Sequence, residues 1–267
     1  MTYFDQSSVP PLLAGQLRSS RRVVVLTGAG VSAESGIPTF RDAQQGLWAR
    51  FDAARLATAA GFSRDSGLVW GWYESRRLAA LQARPNAGHV ALAQMAHWPW
   101  LEDFTVITQN VDDLHERAGS GQVVHLHGSL FAPRCFACSR PWQTTSGAGE
   151  GLDPSDSATA VAEGHLPPPH CQHCGGLIRP GVVWFGEGLP EREWLQAMHM
   201  VVRADLMLVV GTSATVHPAA SLPSAARQQG CKTWVINPDP NASTGTEVCH
   251  WIVDAAAGLS ALIRAGV

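Results

Sequence analysis

Val23-Val24-Val25-Leu26 runs straight into Thr27-Gly28-Ala29-Gly30-Val31-Ser32-Ala33, an apolar run that stops at a G-x-G-x-x-A turn. Successive aliphatic residues without polar alternation fit a strand covered on both faces, as in a parallel sheet. The two glycines permit a tight turn and a close backbone approach, which suits a diphosphate and equally suits a plain structural turn. A dehydrogenase would follow with a second strand ending in Asp or Glu roughly 20 residues later. Here the chain continues Glu34-Ser35-Gly36-Ile37-Pro38-Thr39-Phe40-Arg41-Asp42 instead, which argues against ordinary hydride transfer.

Similar runs recur at Phe104–Ile107, Val123–Leu126, Leu206–Val210 and Trp234–Ile236, with Val248–Val253 as a further candidate. Between them lie helix-like segments, notably Glu191–Arg203 and an alanine-rich stretch stopped by Gly230. This alternation predicts an α/β fold, a Rossmann-like doubly wound parallel sheet. Residues 46 to 98 contain no strand-like run and read as helical, with Trp70, Trp72, Leu78 and Leu81 as an apolar face. Residues 133 to 180 carry paired cysteines, and Thr144 to Pro169 reads as a Gly/Ser/Pro-rich loop.

The cysteines narrow the chemistry. Cys135-x-x-Cys138 is followed, 32 residues later, by Cys171-x-x-Cys174. Two such knuckles close one tetrahedral Zn²⁺ site and leave no open position, so one structural zinc per chain is expected. A pair of redox dithiols is the alternative, disfavoured because neither motif opens a helix in a thioredoxin-like pattern. His173 is a rival ligand, and Cys231 and Cys249 read as packing residues. With 45% apolar residues, 15% charged residues and a net charge of −3, the chain is globular and offers no electrostatic case for nucleic acid. No apolar stretch reaches the roughly 20 residues that span a bilayer, and Met1 to Gly15 lacks the pattern of a secretory signal. A cytoplasmic monomer without membrane contact is expected.

The stretch from Gly28 to Asp42 resembles the signature of the sirtuin family nearly letter for letter. The resemblance continues in order through Thr108-Gln109-Asn110-Val111-Asp112, His127-Gly128-Ser129, Arg179-Pro180-Gly181-Val182-Val183-Trp184-Phe185-Gly186-Glu187, Gly211-Thr212-Ser213 and Asn237-Pro238-Asp239. It implies NAD as co-substrate: acyl-lysine, NAD⁺ and water give free lysine, nicotinamide and 2′-O-acyl-ADP-ribose. By that analogy Gly28, Ala29 and Gly30 cradle phosphate, Glu34 is a further cofactor-binding residue, and Phe40 and Arg41 lie over the ribose. Gln109, Asn110 and Asp112 line the nicotinamide pocket. Gly211, Thr212 and Ser213 bind the distal phosphate and ribose, and Asn237 and Asp239 flank the adenosine. Asn110 and His127 are the catalytic candidates. An imidazole can accept a ribose hydroxyl proton near neutral pH. His125 is a weaker rival on the same side of the strand, and His89 reads as a helix anchor.

Tyr73 and Arg76 fall one turn apart and resemble the Tyr-x-x-Arg pair of the sirtuin subgroup that removes succinyl and malonyl groups. Ala57 matches that subgroup's small pocket residue. The bland alternative is a solvated helix face, the reading taken for Arg77. Val183, Trp184, Phe185 and Gly186 resemble the edge that holds an acyl-lysine substrate as an extended peptide, though the same run could be an ordinary buried strand. The expected organisation is a discontinuous Rossmann-like domain (16–45, 100–132 and 181–267), a helical insert (46–99) and a zinc module (133–180). Rival functions are a plain deacetylase, an ADP-ribosyltransferase, and a non-catalytic NAD-sensing or interaction module.

Overall fold

The structure is a computed structural model that describes residues 2–4, 8–38, 53–142, 165–242, 245 and 248–267. The expected loop at Thr144 to Pro169 lies outside the described residues up to 164, as do Phe40 and Arg41. Seven parallel strands form the large sheet: β1 (Thr2–Phe4), β2 (Arg22–Thr27), β3 (Asp103–Thr108), β4 (Val123–His125), β7 (Leu206–Val210), β8 (Lys232–Ile236) and β9 (Cys249–Trp251). Their spatial order is β1-β9-β8-β7-β2-β3-β4. All five residues of β7 are buried, as a strand covered on both sides requires. The edge strand β1 was not legible in sequence: it has three residues, two of them exposed, and exists by pairing with β9.

Alternate residues feed two layers. Val23, Val25, Leu206, Leu208, Trp234 and Ile236 pack against α1 (Pro11–Ser19), α5 (Ala87–Met95) and α9 (Ala255–Arg264). Val24, Leu26, Met207, Val209 and Val235 pack against α7 (Glu191–Arg203) and α8 (Leu222–Gln228). Gly230 ends the α8 segment with φ at 82°, the left-handed stop expected of it. Because β3 and β4 continue to one side of β2 while β8 and β9 continue from β7 to the other, strand order reverses between β2 and β7. Their carboxyl ends form the crevice where open α/β sheets bind ligands.

The small lobe holds α2 (Ala53–Leu56), α3 (Ala59–Arg64), α4 (Ser66–Gln82) and an antiparallel pair, β5 (Arg134–Cys135) with β6 (Ile178–Arg179). Two expectations are corrected on α4. Its buried face runs through Val69, Trp70, Tyr73, Glu74, Arg77 and Ala80, whereas Leu81 is exposed. Arg77 is buried too, its guanidinium 3.0 Å from the equally buried Glu74 carboxylate; pairing makes burial of both charges tolerable. Helix α5, grouped with the insert by sequence, packs on the large sheet through Ala91, Leu92 and Met95. Asn86 caps it by accepting from the N–H groups of Gly88 and His89, and His89 Nδ1 accepts in return from Asn86 N–H. His89 is thus the helix anchor expected of it. Among the described residues no helix is long and apolar enough to cross a membrane.

Candidate active site

The turn after β2 and the turn after β7 meet backbone to backbone. Gly30 N–H donates to the Gly211 carbonyl at 2.8 Å, and Gly28 N–H to the Val210 carbonyl at 3.1 Å. A Cβ on Gly30 would stand 2.7 Å from the Gly211 oxygen, and one on Gly28 would stand 2.6 Å from Thr212 Cβ. Gly211 itself has φ at 59°. These glycines are therefore required by the contact between the two turns, a reason that a diphosphate-centred reading of the motif leaves out. Among the described residues the N–H groups of Ala29, Thr212 and Ser213 donate to no protein acceptor. Three unmatched amides at adjoining strand ends are a fit for a polyanion.

Ser32, unremarked in sequence beyond its place in the motif, is the hub of the pocket. It is 1% exposed; its hydroxyl donates to Asp112 Oδ2 at 3.2 Å and accepts from Asn110 Nδ2 at 3.0 Å. Asp112 Oδ1 accepts from Leu114 N–H, and burial raises the Asp112 carboxyl against these two hydrogen bonds. Gln109 Nε2 donates to Thr212 Oγ1 at 3.0 Å, tying the β3 end to the β7 turn. Asn237 Nδ2 donates to the Thr212 carbonyl and its Oδ1 accepts from Asp239 N–H. Ser213 lies on the same turn, its hydroxyl 2.9 Å from Thr215 Oγ1. Glu34 is exposed and accepts from Ala256 N–H in the first turn of α9. A carboxylate suits that helix start, and this contact turns Glu34 toward α9.

His127 follows β4, and its Nδ1 lies 3.1 Å from the Gln109 carbonyl. A carbonyl can only accept, so Nδ1 carries the hydrogen and Nε2 keeps its lone pair. Burial lowers the imidazole, favouring this neutral form. His125 is placed differently. Burial pushes it down, but Glu116, 2.6 Å from its Nε2, more than offsets this and raises it overall. Its Nδ1 faces the Asn110 carbonyl at 3.1 Å, so both ring nitrogens meet acceptors and neither offers a free lone pair to a substrate hydroxyl.

Beneath this layer the His115 and His89 rings pack with centroids 4.9 Å apart and planes tilted by 58°, and His115 Nε2 meets Thr27 Oγ1 at 3.0 Å. Burial lowers His89 to about 4 and His115 to about 3. The sign follows directly. Both are neutral when folded and titrate near 6.5 when unfolded, so the unfolded chain binds more protons below that value. Stability is expected to fall as pH drops from 6.5 toward 4, by about 1.4 kcal/mol per pH unit for each histidine. Urea midpoints measured from pH 7 to pH 5 test this; a flat profile would contradict the neutral pair.

In the small lobe the four expected cysteines converge, their sulfurs all within 4.8 Å of one another. Cys135 and Cys174 Sγ are 3.5 Å apart, and Cys138 and Cys171 Sγ are 3.8 Å apart. Ligands 2.3 Å from a tetrahedral Zn²⁺ would be separated by about 3.8 Å, so the sulfurs fit that ion. The Cys138 N–H donates to Cys135 Sγ and pushes that thiol down to about 6, toward the ligating thiolate. His173 is not part of the cluster. About one Zn²⁺ per chain is expected by metal analysis, and Cys135→Ala should lose both the metal and thermal stability, because metal binding contributes folding free energy. Active protein free of zinc would overturn this assignment.

The segment after β6 links the zinc module to the crevice. Val183 N–H donates to the His127 carbonyl at 2.8 Å and Phe185 N–H to the Ala57 carbonyl at 2.9 Å. Trp184, expected at the substrate, is 1% exposed and packed inward; its N–H donates to Glu187 Oε2 at 2.8 Å and its carbonyl accepts from Glu187 N–H at 3.0 Å. Arg179 holds it: the guanidinium lies 3.4 Å from the indole centroid and binds Glu187 and the Val182 carbonyl. Tyr73 is 5% exposed, and its hydroxyl accepts from Trp184 Nε1 at 3.2 Å. Arg76, one turn on, is partly buried and lies 5.1 Å from the Trp72 ring centroid. Burial lowers its guanidinium, while Tyr73 and Asp112 act in the opposite sense. Ser32 escapes a residue-by-residue reading because its partners Asn110 and Asp112 are 78 and 80 positions away along the chain.

The sequence profile of the Sir2 family matches residues 28–218, from the glycine turn to beyond β7. The chain belongs to the Sir2 family. Among other Sir2 proteins, the NAD-dependent protein deacylase 1 of Pseudomonas aeruginosa is 50% identical over 233 residues, 87% of this chain and 88% of that one. The NAD-dependent protein deacylase of Mycobacterium tuberculosis is 50% identical over 225 residues, 84% of this chain and 89% of that one. A crystal structure of a Sir2 homologue–NAD complex matches with a TM-score of 0.83 at 41% identity, over 98% of this chain and 95% of that chain. A Sir2–p53 peptide–NAD⁺ complex matches with a TM-score of 0.77 at 31% identity, over 96% and 97%.

Proposed function

We infer that the chain is an NAD-dependent protein-lysine deacylase whose pocket favours an acidic acyl group, succinyl or malonyl. Relatives at 50% identity are named NAD-dependent protein deacylases, and the residues of the crevice fit the dinucleotide. Unmatched amides at Ala29, Thr212 and Ser213 would take the diphosphate, and Gln109, Asn110 and Asp112 would surround the nicotinamide. NAD supplies an ADP-ribosyl acceptor with nicotinamide as leaving group. His127 accepts a ribose hydroxyl proton at Nε2, held in the right tautomer by the Gln109 carbonyl. One water is consumed, and the products are free lysine, nicotinamide and 2′-O-acyl-ADP-ribose.

The substrate is read as an extended peptide. Among the described residues the carbonyls of Val183 and Phe185 and the N–H of Gly186 have no protein partner, which leaves a backbone edge for β-augmentation. Main-chain pairing of this kind is tolerant of sequence, so selectivity falls to the acyl pocket. The observation that carries the acidic preference is the pair on α4: a buried phenol and a partly buried guanidinium one turn apart, beside the small residue Ala57. Two donors, one charged, suit a carboxylate and are wasted on a methyl.

The test is kcat/KM on one peptide carrying acetyl, malonyl, succinyl or a longer acyl group, with mass spectrometry of the nucleotide product. Faster turnover of the succinyl or malonyl form, with O-acyl-ADP-ribose as product, is expected. A preference for acetyl would leave a plain deacetylase, and protein-bound ADP-ribose would indicate a transferase.

A further inference from the structure

We propose that Trp184 is a specificity-determining residue that acts through Tyr73, turning the Tyr73 hydroxyl hydrogen toward the acyl terminus. The direction of their hydrogen bond is settled by chemistry. An indole nitrogen has a hydrogen and no lone pair to offer, so Trp184 donates and the Tyr73 oxygen accepts at 3.2 Å. The Tyr73 hydrogen must then lie elsewhere. Among the described residues it has no acceptor, although Tyr73 is only 5% exposed. A buried hydroxyl hydrogen without an acceptor is costly unless a ligand supplies one. Arg76, one turn along the same helix, adds a second donor of positive charge, so the matching ligand group is an anion that accepts twice. A succinyl or malonyl carboxylate is such a group, and an acetyl methyl is not.

The indole is clamped in this pose. The Arg179 guanidinium covers one face at 3.4 Å, and Phe62 lies 5.4 Å away. Arg179 is in turn fixed by Glu187 and the Val182 carbonyl, so the Nε1–H has little freedom to seek another acceptor. Trp184 does not touch substrate with its side chain; it is a positioning residue.

The proposal rests on the acid-acyl reading, and two measurements separate their fates. Trp184→Phe keeps an aromatic ring and removes the N–H. The succinyl-to-acetyl ratio of kcat/KM should fall about 5- to 30-fold, chiefly through a higher KM for the succinyl peptide. In a Tyr73→Phe background the same substitution should leave the ratio within about twofold of Tyr73→Phe alone. Independently of turnover, the ¹⁵N-indole resonance missing from Trp184→Phe protein is that of Trp184, and it should move upfield in Tyr73→Phe protein. An unmoved resonance overturns the proposal whatever the acyl preference. A succinyl preference that Arg76→Met abolishes and Trp184→Phe leaves intact overturns the proposal alone. Wild-type protein that prefers acetyl peptide overturns both.

Discussion

His127→Ala is expected to lower deacylation by about 10²–10⁴-fold while leaving NAD⁺ affinity, measured by calorimetry, largely intact. The size of the effect follows from the absence of a substitute. His125 is the other imidazole at the end of β4, and its two ring nitrogens already face Glu116 at 2.6 Å and the Asn110 carbonyl at 3.1 Å. Affinity should survive because the His127 side chain bonds Gln109 at its main-chain carbonyl, while the Gln109 side chain is held by Thr212 Oγ1 and its N–H by the Thr27 carbonyl. In wild-type protein the rate should decline as pH falls and Nε2 is protonated, and burial moves that decline below the ordinary histidine range. Near wild-type turnover by the variant would reassign the base, with His125 next in line.

Arg76→Met should remove about 30- to 1,000-fold of kcat/KM on succinyl peptide, with a far smaller change on acetyl peptide. A carboxylate brought into this half-buried region must be paired or bear an unfavourable desolvation. Arg76 is suited to pair it: partly buried, next to Tyr73, and on the same helix face. Met retains most of the volume of the aliphatic stem, so lost charge and not a new cavity should dominate. Arg77 is the internal comparison. Its guanidinium is already engaged by Glu74 in the small-lobe interior, so replacing it should cost stability on every substrate alike. Equal losses on succinyl and acetyl peptides from Arg76→Met would mean that Arg76, like its neighbour, is structural.

Much of this molecule is legible in short stretches of chain. The strand interiors Val23–Leu26 and Leu206–Val210 announce themselves because burial on both faces demands uninterrupted apolar residues. The zinc cluster is legible because a tetrahedral ion constrains ligand type and local spacing, and the four cysteines do converge. Local pattern says least where a residue's environment comes from another element. Arg77 reads as a solvated arginine because nothing local reveals that α4 is covered on that side. Glu34 sits inside a phosphate-loop motif and yet accepts from the start of α9, 222 positions away.

Sequence alone therefore determined the layer architecture and the four-cysteine cluster, because each depends on local geometry or on residue chemistry. Tertiary structure alone decided how those pieces work together. Ser32 joins Asn110 to Asp112 across 80 positions, the glycines of two turns are required by each other, and Trp184 reaches Tyr73 across 111 positions. Hydrogen bonds of a few ångströms between residues so distant along the chain form only when the strands and helices between them have packed, and no local pattern of side chains encodes their direction.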